Sequence, residues 1–417
     1  MKILFFTENI YRGGLDSFLI YLINHWPIKE DKIQLICNAS HPGISDIKRA
    51  LVRQCEVIPH QIPIYSDLIA KTRKNPSLDL LRKLFSPLIK YTYFLFNIIR
   101  VRRVLLWGNP DQLVVVNGGH PGGDSCRAAI LSWSLFSKKH HEAIYNFHNL
   151  AVPPRWFEKW PEKLIDSLVI GHAKAIIGVS QSCAMSLQKR IGKENMDKVS
   201  WIYNGIPAPL YVLKSHITTL KEEFGFPKES LICLMLATYE LRKGHDFLLK
   251  AFKKVISEIS LARLIICGHG YPDQIELVRR LVHKYDLSDF VILQNFRRDT
   301  DSLLDQSNLL LVSSQSYESF GLTSVEAMSH RIPVVATRVG GLPEVVENGE
   351  GGYCVDPNDV DGFAGWIIKI LKDPEFRKSQ GEKGYHRYEK LFSADRMAKQ
   401  YAQIIHENES GNNISRY

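Results

Sequence analysis

Short apolar runs alternate with helical patterns along most of the chain, and this alternation restricts the possible folds more than any other feature. Strands that alternate with helices are typical of parallel sheets, because two parallel strands need a long crossover between them. A chain of 417 residues also exceeds the size that a single core usually serves. The pattern therefore predicts two α/β domains. The predicted strands are 2–7, 33–37, 113–117, 143–147, 175–179 and 199–203 in the first half, and 231–236, 264–267, 290–293, 309–313, 333–336 and 353–355 in the second.

A turn-rich stretch over 204–229 separates the two halves and contains Pro207, Pro209, Gly225 and Pro227. We interpret it as the linker and the entry to the second domain. The expected domains are an N-terminal Rossmann-like domain over 1–206 and a second one over 207–393. In such folds ligands bind at the carboxyl ends of the strands.

The segment 313–328 combines the end of a predicted strand, a glycine turn at Gly321 and a helical pattern. Glu318 and Glu326 lie eight residues apart on either side of that turn. A helix that starts after the turn would direct free amide groups and the positive end of its dipole at the loop, where phosphate binds. Carboxylates there accept hydrogen bonds from sugar or ribose hydroxyls. The segment therefore predicts a sugar-nucleotide site.

The same segment belongs to an ordered series of motifs. The series consists of Gly13-Gly14, His148, Val179-Ser180, Asn204-Gly205, Arg242-Lys243-Gly244, Ala251-Phe252, Glu318 with Glu326, Gly340-Gly341 and Glu344. In this order the chain resembles the retaining glycosyltransferases of family 4 over nearly its whole length. The resemblance implies the GT-B fold, in which two Rossmann-like domains face each other across a cleft. It implies that the first domain, 1–206, is the acceptor side and that the second, 207–393, binds the nucleotide sugar. It also implies that a C-terminal helix, at about 394–410, packs back on the first domain.

The resemblance implies a role for each candidate residue. His148 would contact the donor sugar, Lys243 would neutralise the departing diphosphate, and Glu318 would contact the transferred sugar; these three are the predicted catalytic residues. Glu326 would accept hydrogen bonds from the ribose. The remaining predicted donor-binding residues are Gly13, Gly14, Arg242, Asn295, Phe296, Ser319, Phe320, Gly321 and Leu322. Gly13 and Gly14, between the first strand and the next helix, are expected to allow a positive φ, so that backbone amides approach a phosphate or sugar closely. The alternative interpretations are structural: turn glycines, a buried histidine, a surface lysine and solvated glutamates.

The sequence departs from the family pattern in one place. Ala237-Thr238 replaces the Gly-Arg that usually precedes the lysine, so one of two phosphate-binding cations is missing. Arg242 is the candidate replacement, although adjacent side chains need not point the same way. A second glycine pair, Gly268-His-Gly270, lacks the third glycine of a dinucleotide-binding loop and is discounted.

The predicted activity is transfer of a sugar, with retention, from a nucleotide diphosphate sugar to a glycan or lipid-linked acceptor at the cytoplasmic membrane face, in polysaccharide or glycolipid synthesis. No cofactor and no metal are expected. Two alternatives stay open: a sugar-nucleotide epimerase of the same fold, and a non-catalytic sugar-nucleotide-binding subunit. The second stays open because Ala237-Thr238 stands in place of the usual Gly-Arg.

A basic and aromatic window over 71–103 carries nine basic residues and one acidic residue, a net charge of +8 out of +9 for the chain. It is too interrupted to span a membrane. We expect it to contact an anionic membrane surface; the alternative is a helix pair that packs on the domain. No nucleic-acid motif accompanies it.

Seven scattered cysteines are typical of reduced core residues, and 1–8 is expected to be a strand and not a signal peptide. Together these features predict a cytoplasmic, peripheral protein.

Overall fold

The computed structural model describes residues 1–10, 12–73, 75–107, 109–136, 142–209 and 218–407, with the backbone alone at 66, 70, 83 and 84. The chain forms two compact units: one contains residues 1–205 together with the segment from Ala394 onwards, and the other contains Ile206–Ser393. Among the expectations above, Lys74, part of the 204–229 linker, the end of the C-terminal helix, and the side chain of Lys83 lie outside the described residues.

The first unit is built on a parallel sheet of seven strands in its described part, with the order β3-β2-β1-β4-β5-β6-β7. The strands are β1 (Lys2–Thr7), β2 (Lys32–Asn38), β3 (Cys55–His60), β4 (Gln112–Asn117), β5 (Ala143–Phe147), β6 (Ala173–Gly178) and β7 (Val199–Trp201). Its helices are α1 (Gly14–Asn24), α2 (Ile44–Ala50), α3 (Tyr65–Thr72), α4 (Pro76–Leu84), α5 (Ser86–Leu105), α6 (Asp124–Phe136), α7 (Lys159–Gly171), α8 (Gln181–Ser186) and α9 (Gln188–Ile191), with 3-10 turns at Trp156–Glu158 and Lys193–Asn195.

The second unit has a parallel sheet of six described strands in the order β10-β9-β8-β11-β12-β13. The strands are β8 (Leu231–Leu236), β9 (Ala262–Cys267), β10 (Val291–Gln294), β11 (Leu309–Val312), β12 (Val334–Thr337) and β13 (Gly352–Val355). Its helices are α10 (Leu220–Glu223), α11 (His245–Glu258), α12 (Pro272–Lys284), α13 (Thr300–Asp305), α14 (Leu322–Ser329), α15 (Leu342–Val345), α16 (Val360–Lys372) and α17 (Pro374–Leu391), with a 3-10 turn at Leu241–Lys243.

The last described helix, α18 (Ala394–His406), belongs to the first unit. It buries Met397, Ala398 and Tyr401 in the core that β1, β4 and α1 also supply. The hydroxyl of Tyr401 accepts a hydrogen bond from the Asn146 amide at 2.7 Å. This helix thus fills a core whose other residues come from the first half of the chain.

Strand β3 is the strand that the sequence analysis missed. It lies at the edge of its sheet, and most of its residues are only partly buried or exposed. It also contains Pro59, which donates no backbone hydrogen bond. An edge strand therefore lacks the continuous apolar run by which the buried strands were predicted. All seven cysteines are free thiols, and six of them are buried.

Candidate functional site

Two loops at the carboxyl ends of β8 and β11 are hydrogen-bonded to each other in the second unit. The Ser313 hydroxyl donates to the carbonyl of Lys243 at 2.8 Å, and the backbone N–H of Gln315 donates to the carbonyl of Arg242 at 2.8 Å. Gly244 adopts φ 74, and a Cβ there would lie 2.0 Å from the Ser313 carbonyl oxygen. Only glycine fits this approach without strain. The contact fixes the loop that carries the two predicted cations.

Lys243 and Glu318, which are 75 residues apart in sequence, form an ion pair at this place. Lys243 Nζ lies 2.5 Å from Oε2 of Glu318, and the Ser314 hydroxyl donates to the same oxygen at 3.2 Å. Both side chains are about 15% exposed, so the pair is largely shielded but still reaches solvent. A ligand that approaches the pair meets a cation and a carboxylate together.

Arg242 points to the same place as Lys243. Its guanidinium Nη1 lies 4.0 Å from Oε2 of Glu318, and its Nε pairs with Glu240 at 2.6 Å. The guanidinium also lies 4.9 Å from the centre of the Tyr317 ring. Two cations therefore converge on Glu318, although Ala237-Thr238 removes the one that the family pattern expects.

Helix α14 begins at this site. Its N-cap, Gly321, adopts φ 95 and ψ 57, and a Cβ there would lie 2.6 Å from Leu342. The ring of Phe320 is buried against Phe392, with ring centres 5.7 Å apart. Phe320 therefore offers a ligand its backbone and not its ring. Ser319 precedes it, and Leu322 opens the helix, where the first turn leaves amide groups without intrahelical partners.

Glu326 lies just over one turn into α14 and is half-buried. Burial, with a further contribution from the nearby charge of Asp301, raises its pKa to about 7 from 4.5. Among the described residues its carboxylate reaches no hydrogen-bond donor. His330, whose charge acts to lower this pKa, is already bound to Asp305 at 2.8 Å and to Asp301 at 3.3 Å. The carboxylate is therefore available to a ligand hydroxyl.

The loop after β12 contacts the backbone of Glu318. The Gly341 amide donates to the Glu318 carbonyl at 2.8 Å. Gly340 adopts φ 56, and a Cβ there would lie 1.9 Å from the same carbonyl oxygen. The two glycines that the sequence motif contains thus hold the backbone of Glu318 in place.

Asn295 and Phe296 follow β10 in the same unit. Asn295 is exposed, and its carbonyl accepts a hydrogen bond from the Cys267 thiol at 3.1 Å. Phe296 exposes 65% of its surface, which leaves its ring open for stacking. Their predicted contact with the nucleotide stays a prediction.

Gly13 and Gly14 lie at the start of α1 in the first unit. The positive φ that the sequence analysis invoked for them is absent, since Gly13 has an extended backbone with φ 173 and Gly14 is the first helical residue. A Cβ at Gly13 would meet no atom within 4 Å. The glycine therefore leaves open space beside the helix end, without being required by the backbone.

His148 follows β5 in the first unit. Its ring packs edge-on against Phe18, with centres 4.3 Å apart, and its Nε2 is buried without a partner among the described residues. Burial lowers the pKa of His148 to about 3. The imidazole is therefore neutral at physiological pH and has an unused nitrogen.

Sequence reasoning missed four polar residues at the carboxyl ends of β1, β2 and β3. Thr7, Asn38 and His60 each have a buried polar atom without a partner among the described residues. Glu8, directly after β1, accepts hydrogen bonds on Oε2 from the Ser125 amide and hydroxyl at 2.8 and 2.6 Å. Burial raises its pKa to about 7. The only sequence signal was a polar residue at the end of an apolar run.

Metal binding has no support in the described residues, where no three His, Cys, Asp or Glu side chains converge as ligands. Two Asp-x-Asp segments, which the sequence analysis overlooked, have other partners. Asp299 pairs with Arg297 and Asp301 with His330, while Asp359 caps α16 and Asp361 pairs with Lys254. Metal independence itself stays a prediction.

The two parallel-sheet units and the loop site at the carboxyl ends of β8 and β11 define a protein of the GT-B class. Residues 216–387 match the family model for glycosyl transferases group 1, and residues 44–208 match the model for glycosyltransferase family 4. The two models together span most of the chain. The protein belongs to this glycosyltransferase family.

Two curated relatives and one solved structure are similar to this chain. The chain is 30% identical over 238 residues to N-acetyl-alpha-D-glucosaminyl L-malate synthase of Bacillus anthracis, covering 57% of this chain and 61% of that protein. It is 24% identical over 305 residues to the capsular polysaccharide biosynthesis glycosyltransferase CapM of Staphylococcus aureus, covering 70% and 76%. The crystal structure of Anabaena Alr3699/HepE in complex with UDP superposes with a TM-score of 0.74 at 19% identity, over 98% of this chain and 100% of that one. The chain thus matches about three fifths of the length of the malate synthase.

Proposed function

We propose that the protein transfers a sugar, with retention of anomeric configuration, from a nucleoside diphosphate sugar to a glycan or lipid-linked acceptor. The observation that carries this proposal is the convergence of Lys243 and Arg242 on Glu318 beside the start of α14. Two cations and a helix N-terminus together balance the negative charge of a diphosphate. This charge increases as the bond between the diphosphate and the sugar breaks. The bound UDP of the Anabaena relative agrees with such a ligand.

The residues divide the work as follows. Glu326, with no protein donor among the described residues, accepts the ribose hydroxyls, and Glu318 accepts a hydroxyl of the transferred sugar. Lys243 then exchanges part of its pairing with Glu318 for the diphosphate. His148, neutral and with an unused nitrogen, binds a hydroxyl of the donor sugar. The acceptor attacks from the face that the diphosphate leaves, and a phosphate oxygen takes its proton. The protein contributes position and charge stabilisation.

A direct test begins with a panel of nucleotides and nucleotide sugars in thermal-shift measurements. A nucleotide at a hundred times its dissociation constant should stabilise the protein by about 2.7 kcal/mol. The stabilising donor is then incubated alone and with acceptors, and NMR of the product reports the anomeric configuration. Binding without hydrolysis or transfer would favour the non-catalytic subunit, and interconversion of the donor sugar would favour the epimerase. An inverted product would contradict retention.

The acceptor side of the proposal includes an anionic membrane surface. In the described residues no helix combines the length and the apolar character that crossing a bilayer requires. Helices α4 and α5 nevertheless expose many large apolar side chains: Leu78, Leu80, Leu81, Leu88, Leu95, Phe96 and Ile99, together with Phe85 between the helices. Apolar side chains in a basic segment are typical of a helix that lies in the membrane interface.

A second exposed group lies next to α5 and was not predicted. Trp156, in the 3-10 turn before α7, and Trp160, at the start of α7, are 81% and 86% exposed. Lys90 of α5 joins the two elements, because its Nζ lies 2.8 Å from Glu162 and 3.3 Å from Glu158. Tryptophan favours the boundary between lipid and water. We therefore include this group in the proposed membrane surface.

Two cations of the basic window over 71–103 are held in ion pairs within the protein. Lys90 is bound to Glu162 and Glu158, and Arg82 lies 2.6 Å from Asp79, so neither is available to a lipid phosphate without losing a partner. Arg73, Arg100, Arg102 and Arg103 are exposed. These four supply the attraction in the proposal, at the inner face of the cytoplasmic membrane. The similarity to CapM supports a role in polysaccharide synthesis.

A further inference from the structure

A cavity of about 470 Å³ lies within the first unit, at the carboxyl ends of β2 and β3 and beside α3 and α5. The polar residues of its lining include Asn38, His60, Asp67 and Lys71. The apolar residues of its lining include Ile62, Ile64, Leu68 and Tyr93. The volume falls in the range of small-ligand sites, and the mixture of an apolar side with a few polar groups is typical of them. None of the residues assigned to the donor lines this cavity.

Two of the polar side chains in the wall are buried and have unused hydrogen-bonding atoms. Asn38 is 3% exposed and His60 is 5% exposed. Oδ1 of Asn38 and Nε2 of His60 reach no partner among the described residues. Asn38 and His60 are paired in the register of β2 and β3, so both residues lie at the carboxyl ends of these neighbouring strands. A buried polar atom without a partner is costly, and a bound ligand or ordered water removes that cost.

The hydrogen-bonding character of His60 follows from its surroundings. Its Nδ1 accepts from the Ile62 amide at 3.2 Å, which leaves the proton on Nε2. The ring stacks on Phe6 and comes near the Thr7 backbone without reaching hydrogen-bond geometry. Burial lowers the pKa of His60 to about 4, so the ring is a neutral donor. His60 thus presents one N–H, and Asn38 presents one carbonyl oxygen.

The charges around the cavity are nearly balanced. Asp67 and Lys71 lie four residues apart on α3 and are the two oppositely charged residues of the lining. Glu8 lies close enough to Asp67 for their charges to interact. A dicarboxylate or a phosphate in this cavity would meet one cation, Lys71, and also one carboxylate, Asp67, in the lining. Burying such an anion would leave charge unpaired, which is unfavourable.

We infer that this cavity binds the acceptor, and that the part of the acceptor it holds is an uncharged ring bearing several hydroxyl groups. This inference rests on the proposed function, because it assigns the second substrate of that reaction. Ring hydroxyls both donate and accept, which suits Asn38, His60 and Asp67. The carbon–hydrogen face of the ring packs on Tyr93 and Leu68. The malate that names the Bacillus anthracis relative is a dicarboxylate and does not suit this lining.

The test uses the full chain without nucleotide and measures binding of methyl glycosides, myo-inositol, L-malate and glucose 6-phosphate by ligand-observed NMR. We expect at least one neutral ring to bind and the two anions to bind at least tenfold more weakly. Asn38→Leu and His60→Phe should each weaken the neutral ligand about tenfold, the loss of one hydrogen bond. His60→Gln, which restores a donor, should recover most of that binding.

Ser132→Ala is the matched control, because Ser132 has a buried hydroxyl without a partner in α6, among the described residues but away from the lining. It should leave binding unchanged. Nucleotide-dependent thermal stabilisation of each variant shows that the chain is folded and reports the second unit separately. Preferential binding of malate or glucose 6-phosphate, no binding by any neutral ring, or full neutral-ring binding in both Asn38→Leu and His60→Phe would overturn the inference. Loss of donor turnover with neutral-ring binding intact would instead count against the proposed function.

Discussion

Lys243 and Glu318 lie 2.5 Å apart, so the residue proposed to neutralise the diphosphate is held by the residue proposed to bind the sugar. In the structure each side chain balances the charge of the other. A donor that inserts its diphosphate and sugar can replace both halves of this contact at once. The pair therefore keeps two charged side chains in position until the donor arrives, at a lower cost than two isolated charges.

Substitution of the two glutamates should separate binding from turnover. Glu326→Ala should weaken nucleotide binding about ten- to a hundredfold, because a buried hydrogen bond to a charged group contributes roughly 1.5–3 kcal/mol. Glu318→Ala should mainly lower kcat and leave binding of the free nucleoside diphosphate less affected. Titration calorimetry with the diphosphate and initial rates with the nucleotide sugar measure the two effects. Equal, small effects of both variants on binding and on turnover would contradict the roles assigned to the two glutamates.

Nucleotide affinity should depend on pH through Glu326. Because the pKa of this carboxyl is raised to about 7, the ionised form that accepts ribose hydroxyls disappears as the pH falls below that value. Affinity should therefore fall about five- to tenfold between pH 8 and pH 6. Glu326→Gln should bind more weakly but with a flat pH profile between those values. An equally steep profile in the variant would assign the titration to another group.

The same shift predicts how Glu326→Gln changes stability. Folding favours the protonated carboxyl, so its contribution is fully present below about pH 4.5 and is lost as the pH rises through about 7. The variant should gain stability relative to the wild type above pH 7 and show no gain below pH 4.5. Urea unfolding at a series of pH values measures this difference. Glu8 titrates in the same range, but it is common to both proteins and cancels in the comparison.

Gly340→Ala should destabilise the protein and lower its activity. A Cβ would lie 1.9 Å from the Glu318 carbonyl oxygen, and φ 56 is unfavourable for alanine, so we expect a loss of roughly 1–3 kcal/mol. Gly365→Ala is the matched control: this glycine lies in α16, and its Cβ would meet no atom within 4 Å. The control should be neutral or stabilising by about 1 kcal/mol. Gly340→Ala with the stability and kcat of the wild type would show that the loop does not position Glu318.

Activity should persist in EDTA, since Lys243, Arg242 and the start of α14 supply the positive charge at the diphosphate. Rates before and after chelation, and after adding back magnesium or manganese, measure this. Complete loss that either metal restores would assign the charge stabilisation to an ion.

Membrane binding should depend on the exposed arginines and tryptophans. Neutralising Arg73, Arg100, Arg102 and Arg103 together should lower partitioning onto acidic liposomes several hundredfold, at about 1 kcal/mol each, and less at high salt. Trp156→Ala with Trp160→Ala should weaken binding at all salt concentrations. A control that neutralises four exposed basic residues of the second unit, Lys253, Lys254, Arg279 and Arg280, should bind as the wild type does. If the wild type does not bind liposomes, the alternative interpretation holds, in which α4 and α5 only pack on the domain.

The sequence predicts the fold well where the strands are buried on both faces. Strands β1, β5 and β8 have the predicted bounds, because a continuous apolar run between turns has few other interpretations. Strand β3 was missed because a half-exposed edge strand with Pro59 has neither a run nor a clear alternation. Local pattern therefore predicts the centre of each sheet better than its edge.

The sequence predicted which residues belong to the candidate site, but it did not predict how they contact one another. The motif order predicted Lys243 and Glu318, but only the folded loops show that they are paired and that Arg242 reaches the same carboxylate. Likewise, the positive φ expected at Gly13 and Gly14 is absent there, and occurs instead at Gly244, Gly321 and Gly340. Asn38 and His60 carried no motif, since their significance depends on which polar atoms the neighbouring strands leave without partners.

The placement of α18 has a consequence for the order in which the protein is assembled during synthesis. The segment that fills the core of the first unit, including Met397 and Tyr401, leaves the ribosome after all of the second unit. Domains usually fold as their residues emerge. The second unit is continuous in sequence, so all of its residues are synthesised before α18. The core of the first unit stays incomplete until α18 has been synthesised. The nascent chain thus exposes apolar surface of its N-terminal half longest, and that half is where chaperone contact is most needed.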